Sequence, residues 1–349
     1  MSGLSLEGIA SYVRDLSSAC SVVKMIENSL YAGSHDGLLV CWDASSGAER
    51  WRVSITGPIS DISLDTRALY VTASDSLYAI DESDGSLLWS KQLEGASDYV
   101  VSSDGNVWAT SSVYELEVAD FIEATVWRFD ASGNELERWV MAERPWHLAS
   151  DGSGGVVLGL GRPRCGYLRV QPEKESKHVQ LATDSPVTCG SGQGADLLFG
   201  HADGTVSRME SAMIENELDS LVTAVASGAA VWISGHDDGS ISMRETSQSL
   251  SGSIDSVAIV ESIGWASAWD GMKVELMIVS EKTMTISHDA RLRQMDSSES
   301  CLALGDDQGR VFMIEPEVMQ RRIVAQEQEP TDDAKNSEIR ARLRMLRNR

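Results

Sequence analysis

Four turns hold the residue types best suited to acid–base or metal chemistry. They are His35-Asp36, His201 with Asp203, His236-Asp237-Asp238, and Asp306-Asp307. Imidazole beside carboxylate can ligate a divalent cation or relay a proton. Here each group is closed by a glycine (Gly37, Gly204, Gly239, Gly309) and lies between two short apolar runs. Asp followed by Gly in that setting makes a hairpin, because glycine accepts a positive φ without steric cost. The expectation is therefore four turns on separate units, each histidine exposed beside its turn. No G-x-S-x-G elbow, no Cys-x-x-Cys pair and no acidic run of calcium-loop spacing is present. On this reading the chain has no catalytic residue, no metal and no cofactor, and is not an enzyme.

The element that carries these turns is best seen in Leu30–Val53, LYAGSHDGLLVCWDASSGAERWRV. A buried apolar run, an Asp-Gly turn, a second strand, an Asp/Ser/Gly turn and a half-polar third strand follow in order. Cys20–Ile26 supplies a fourth strand ahead of them. One such sheet cannot cover both its faces. Ala68–Leu93, Thr125–Val140, Leu197–Glu210, Val231–Glu245 and Cys301–Glu315 repeat the pattern, with fainter copies at Val156–Val170 and Ile263–Leu276. First-turn anchors near 37, 76, 124, 166, 204, 239, 271 and 309 give a step of about 39 residues, close to a four-stranded propeller blade. The expectation is an all-β, eight-bladed β-propeller over 1–326. It becomes seven-bladed if the unit around Asp270-Gly271 is an excursion of its neighbour. Leu4–Val13 is expected either to close the ring as a strand of the last blade or to form a free cap.

The repeats resemble two propeller families. WDASSGAERW, IDESDGSLLW and FDASGNELERW are similar to pyrroloquinoline-quinone-type (PQQ-like) repeats, in which the closing tryptophan wedges between blades. That resemblance implies packing roles for Trp51, Trp89 and Trp139. GHADGTVSRME and GHDDGSISMRE, and the run from His288 to Met295, resemble WD40 repeats. Both resemblances imply an architecture that serves many functions. Quinone-dependent enzymes with PQQ-like repeats are exported and hold calcium and quinone. This chain shows no export signal, adjacent cysteine pair or calcium-spaced acids.

Blade three departs from the unit by an insertion, Ser111–Ala124. Its loop shares a face with the link Arg144-Pro145-Trp146-His147 and with the hairpin Gly161-Arg162-Pro163-Arg164. Tyr114, Phe121, Arg144, Trp146, His147, Arg162 and Arg164 are thus expected in one rim sector, and these residue types are enriched at binding hot spots. Thr331-Asp332-Asp333 reads as a helix start. In the 327–349 tail, Ile339, Leu343 and Leu346 share a face beside Arg340, Arg344 and Arg347, and residues 334–349 carry a net +5. A short basic C-terminal α-helix is expected there, docking on an acidic protein surface.

Composition limits the partners. Net charge is −24, with seven lysines against twenty-two arginines. Such a polyanion is repelled by nucleic acid and anionic lipid. Five scattered cysteines read as reduced, buried thiols, and no apolar run reaches a membrane span. The sequence reading is a cytoplasmic, non-catalytic scaffold for unidentified protein partners. Its alternative is a quinoprotein-like ligand binder or enzyme using the central channel, which the small apolar inner strands disfavour.

Overall fold

In the computed structural model, residues 4–328 are described, apart from 67, 210, 212, 229–230, 244–245 and 281–282. Eight four-stranded antiparallel sheets follow one another along the chain. Blade 1 is Cys20–Ile26, Ser29–Ser34, Leu38–Asp43 and Glu49–Ser54, paired in that order. Blades 2 to 7 occupy 59–92, 96–141, 145–179, 187–217, 222–249 and 253–288. Blade 8 combines Leu292–Ser297, Leu302–Asp306 and Arg310–Ile314 with the N-terminal strand β1, Tyr12–Asp15. The unit around Asp270-Gly271 is a full blade, so the count is eight and not seven.

Each inner strand is packed against the inner strand of the next blade, and the core is distributed between blades. Val22, Tyr31, Leu39 and Trp51 of blade 1 bury against Ile59, Ile62, Leu69 and Val71 of blade 2. Apolar burial at about 25 cal/mol per Å2 is thus gained only when neighbours are present. The repeat tryptophans do what the resemblance implies. Trp51 Nε1 donates to the Glu82 carbonyl at 2.7 Å and Trp89 Nε1 to that of Ala131 at 3.0 Å, one blade onward in each case. A Cβ at Gly85 or Gly133 would lie 2.8 or 2.7 Å from those indoles, and both glycines have positive φ. The Asp/Ser/Gly turn is therefore also the socket for the preceding blade's tryptophan. Trp139 packs at the blade 3/4 core and stacks on Trp108 of its own blade, centroids 5.5 Å apart.

Closure differs in detail from the Leu4–Val13 expectation. Leu6–Ile9 is a short helix, α1, capped by Ser5, and β1 begins at Tyr12. Tyr12 pairs with Met313 and Asp15 with Arg310. Leu6 and Ile9 are fully buried because α1 packs on a second helix, α2 (Pro316–Gln328), through Met319 and Ile323. Arg322 donates to the carbonyls of Ala10 and Ser11. A short C-terminal helix is present as expected, but it is α2, ahead of the helix start read at Thr331, which lies outside the described residues. Apolar residues at 319 and 323 are four apart, the spacing of one helix face. α2 also runs across the expected 326/327 boundary.

Arg310 is the hub of the seam. It donates to Asp306 (2.7 Å), Glu7 (3.1 Å) and Asp289, and approaches His288 Nε2 at 3.1 Å. Glu7, His288 and Asp289 converge closely enough to hold a cation. The guanidinium supplies that positive charge.

Candidate functional site

The turn histidines are not all exposed, which corrects the expectation above. His201 and His236 are fully buried. His201 Nδ1 lies 3.2 Å from the Ser185 carbonyl and Nε2 2.6 Å from Ser207 Oγ. His236 repeats the link contact with Ser220 at 2.7 Å, while its Nε2 meets Ser234 of its own strand at 3.0 Å. Both tie the inter-blade link to the second strand. His35 falls one residue later in its unit than His201 and is exposed. Asp306 holds the position of His201 in blade 8 and is likewise buried. Burial alone would raise its pKa, but hydrogen bonds from His288 and Arg310 outweigh that and hold it low.

The blade-three insertion forms regular structure. The second and third strands of blade 3, Asn106–Glu115 and Asp120–Asp130, run ten and eleven residues. Their counterparts elsewhere have four to seven. The first strand of blade 3 pairs only as far as Ser112, and the fourth begins pairing at Ala124. Beyond those points a two-stranded tongue stands alone, rising roughly 13 Å at 3.3 Å per residue. It displays Tyr114 (48% exposed), Leu116 (84%), Val118 (62%) and Ile122 (48%). Alternation of polar and apolar residues in YELEVADFIE was the sequence signal for these strands.

Arg144 joins the tongue to blade 4. Its guanidinium lies 4.3 Å from the Phe121 ring centre and 5.0 Å from that of Trp146. Phe121 meets Tyr114 edge to face at 5.1 Å. Trp146 is 41% exposed and leans on the blade 4 hairpin, where a Cβ at Gly161 would come within 2.8 Å of its Nε1. That hairpin carries the exposed Arg162 and Arg164. Six of the seven expected rim residues therefore form one sector.

Two corrections concern charge and place. Arg144 donates to buried Asp98 at 2.6 Å, and Arg164 grips buried Glu143 through two bonds of 2.7 and 2.6 Å. Their charges are compensated from within, so they brace the sector more than they attract an anion. The sequence reading missed Asp98 and Glu143, since nothing local shows that a carboxylate is buried. His147 leaves the rim altogether. One residue after Trp146 on the same strand, it points to the opposite face and lines the central channel. Arg340, Arg344 and Arg347 lie outside the described residues.

The channel is also more polar than the inner strands suggested. Lys24, Asp61 and Asp296 line it with His147, Gln193 and several serines. No helix among the described residues is long and apolar enough to cross a membrane.

Comparison with known proteins agrees with this architecture. Residues 18–120 match the family model described as outer membrane protein assembly factor BamB. Among solved structures, BamB from Moraxella catarrhalis superposes with a TM-score of 0.66 at 13% identity, over 87% of this chain and 97% of that one. Saccharomyces cerevisiae Sqt1 gives 0.67 at 12%, over 88% and 98%. The computationally designed Ika8 protein gives 0.61 at 16%, over 86% and 98%. No curated protein matches the sequence. The chain is a β-propeller with repeats resembling both PQQ-like and WD40-like units.

Proposed function

We propose that this propeller is a non-catalytic protein-interaction module whose partner docks on the tongue and the adjoining blade 4 rim. One observation carries the reading: a hairpin unlike that of any other blade exposes Tyr114, Leu116, Val118 and Ile122 next to Trp146. Exposed apolar residues gathered at one place mark interaction surfaces. The sheet edge at Asp120–Glu123 has no strand beside it in the described residues, so an extended partner segment can add to it through backbone hydrogen bonds. Similarity to a protein named as an assembly factor supports an interaction role. The basic stretch holding Arg340, Arg344 and Arg347 offers a second contact, and five free cysteines fit a reducing, cytoplasmic setting.

The test is affinity capture from source cells with two variants. One is Trp146→Ala; the other replaces residues 115–120 by Asn-Gly, which suits a two-residue hairpin. Each is expected to lose the specific partner while its thermal unfolding stays within about 2 °C of the parent, because the side chains changed are exposed or half-buried at the rim. Retention of the same partner by both variants would overturn the assignment.

A further inference from the structure

The eight inner strands enclose a channel of about 690 Å3. Its charge is one-sided. Blades 8, 1 and 2 present Asp296, Lys24 and Asp61 as neighbours, whereas the facing blades 4 to 6 present His147, Ser191, Gln193, Ala226 and Ser227. Lys24 Nζ lies 3.4 Å from Asp61 Oδ1, and its side chain remains 37% exposed to the lumen. Asp61 Oδ2 accepts from the Val100 amide at 3.1 Å, and Asp296 Oδ2 from the Met25 amide at 2.6 Å. Lys24 is thus the one ammonium on a wall with two carboxylates, in contact with Asp61 and acting on Asp296 only at longer range. Across from them, His147 Nε2 is buried and has no hydrogen-bond partner among the described residues. A buried, unpaired imidazole nitrogen in a native cavity calls for a partner.

We propose that the channel binds a small organic cation, a primary amine with a second polar group, whose ammonium pairs with the uncompensated carboxylate and whose other end hydrogen-bonds His147. Three further features agree. Burial, and secondarily the charge of Lys24, push the His147 imidazole down to about 4, so at neutral pH it does not repel a cation. Burial raises the pKa of Asp296, and a bound cation would oppose that rise as the charge of Lys24 already does. Tyr99, the remaining titratable group on the wall, is occupied by the Trp146 carbonyl at 3.0 Å. This inference is independent of the tongue and concerns the ring axis.

The experiment is calorimetric titration with putrescine, ethanolamine, glycerol and acetate. Salt is set at about 0.15 M to screen loose attraction of amines to the acidic surface. Putrescine and ethanolamine are expected to bind saturably at one site, to shift the His147 ring nitrogen signals, and to weaken about tenfold, or 1.4 kcal/mol, in Asp296→Asn. The surface control Glu299→Gln should leave binding unchanged. Lys24→Met removes the competing ammonium and should tighten the amines. If that variant folds poorly alone, recovery of its fold by putrescine is the equivalent result. Absence of saturable amine binding, amine binding unaltered by Asp296→Asn, or tighter binding of acetate than putrescine would each overturn the proposal.

Discussion

Histidine shows how a single residue type acquires different roles in one repeat. His35 is solvated, His201 and His236 are buried braces, and His147 lines the channel with no hydrogen-bond partner for its Nε2 among the described residues. The neighbouring Asp-Gly turns were legible in the sequence; the burial of His201 was not. It depends on the Ser185 carbonyl of the preceding link and on a one-residue offset, which moves a strand side chain to the other face. His236→Ala removes both bonds and leaves the Ser220 carbonyl and the Ser234 hydroxyl without it, so urea unfolding should show a loss of about 2 kcal/mol. His35→Ala should be within about 0.5 kcal/mol of the parent. His147 also predicts a pH effect. Its folded pKa, about 4, lies below the ordinary value of 6.5. The unfolded chain then binds the proton more readily, so this stability is present above 6.5 and is lost as pH falls toward 4. From pH 7 to 5 the parent should lose about 2 kcal/mol more than His147→Phe.

At the scale of elements, the tongue and the seam carry the specific features. The insertion in blade 3 was legible as extra sequence, and its Tyr114 and Phe121 lie beside Arg144 and Trp146. Its form as two long paired strands was not foreseen, although every second residue from Tyr114 to Val118 is apolar. Gly161 is the element's clearest test point. Its hydrogen lets Trp146 lie against the hairpin, so Gly161→Val should displace the indole, seen as a shifted tryptophan fluorescence maximum, with only local loss of stability. The seam rests on β1. Removal of residues 1–15 exposes the edge of Arg310–Ile314 and uncovers Met319 and Ile323. An open edge pairs with other chains. Light scattering of the truncated protein should therefore show association, and its unfolding midpoint should fall sharply. α2 is signalled in the sequence only by Pro316 at a first helical position and by Met319 and Ile323 four apart, a weaker pattern than the charge run of the basic tail.

For the whole molecule, periodicity was the strongest information in the chain. A step of about 39 residues pointed to eight blades, each burying its apolar faces against its neighbours, and the structure makes the unit around Asp270-Gly271 a full blade. What periodicity does not report is which charges are spent inside. Asp98 and Glu143 neutralise Arg144 and Arg164, and Arg310 gathers Glu7, Asp289 and Asp306 from three separate parts of the chain. With Arg144 and Arg164 paired internally, the rim sector is chiefly an apolar, aromatic surface on an acidic ring. The most direct measurement places a photo-crosslinking amino acid at Leu116 on the tongue and, separately, at Leu87 on the outer strand of blade 2, both exposed. A discrete adduct with one cellular protein from Leu116, and none from Leu87, is the predicted result. Adducts of equal yield from both positions, or from Leu87 alone, would contradict a docking site on the blade 3/4 sector.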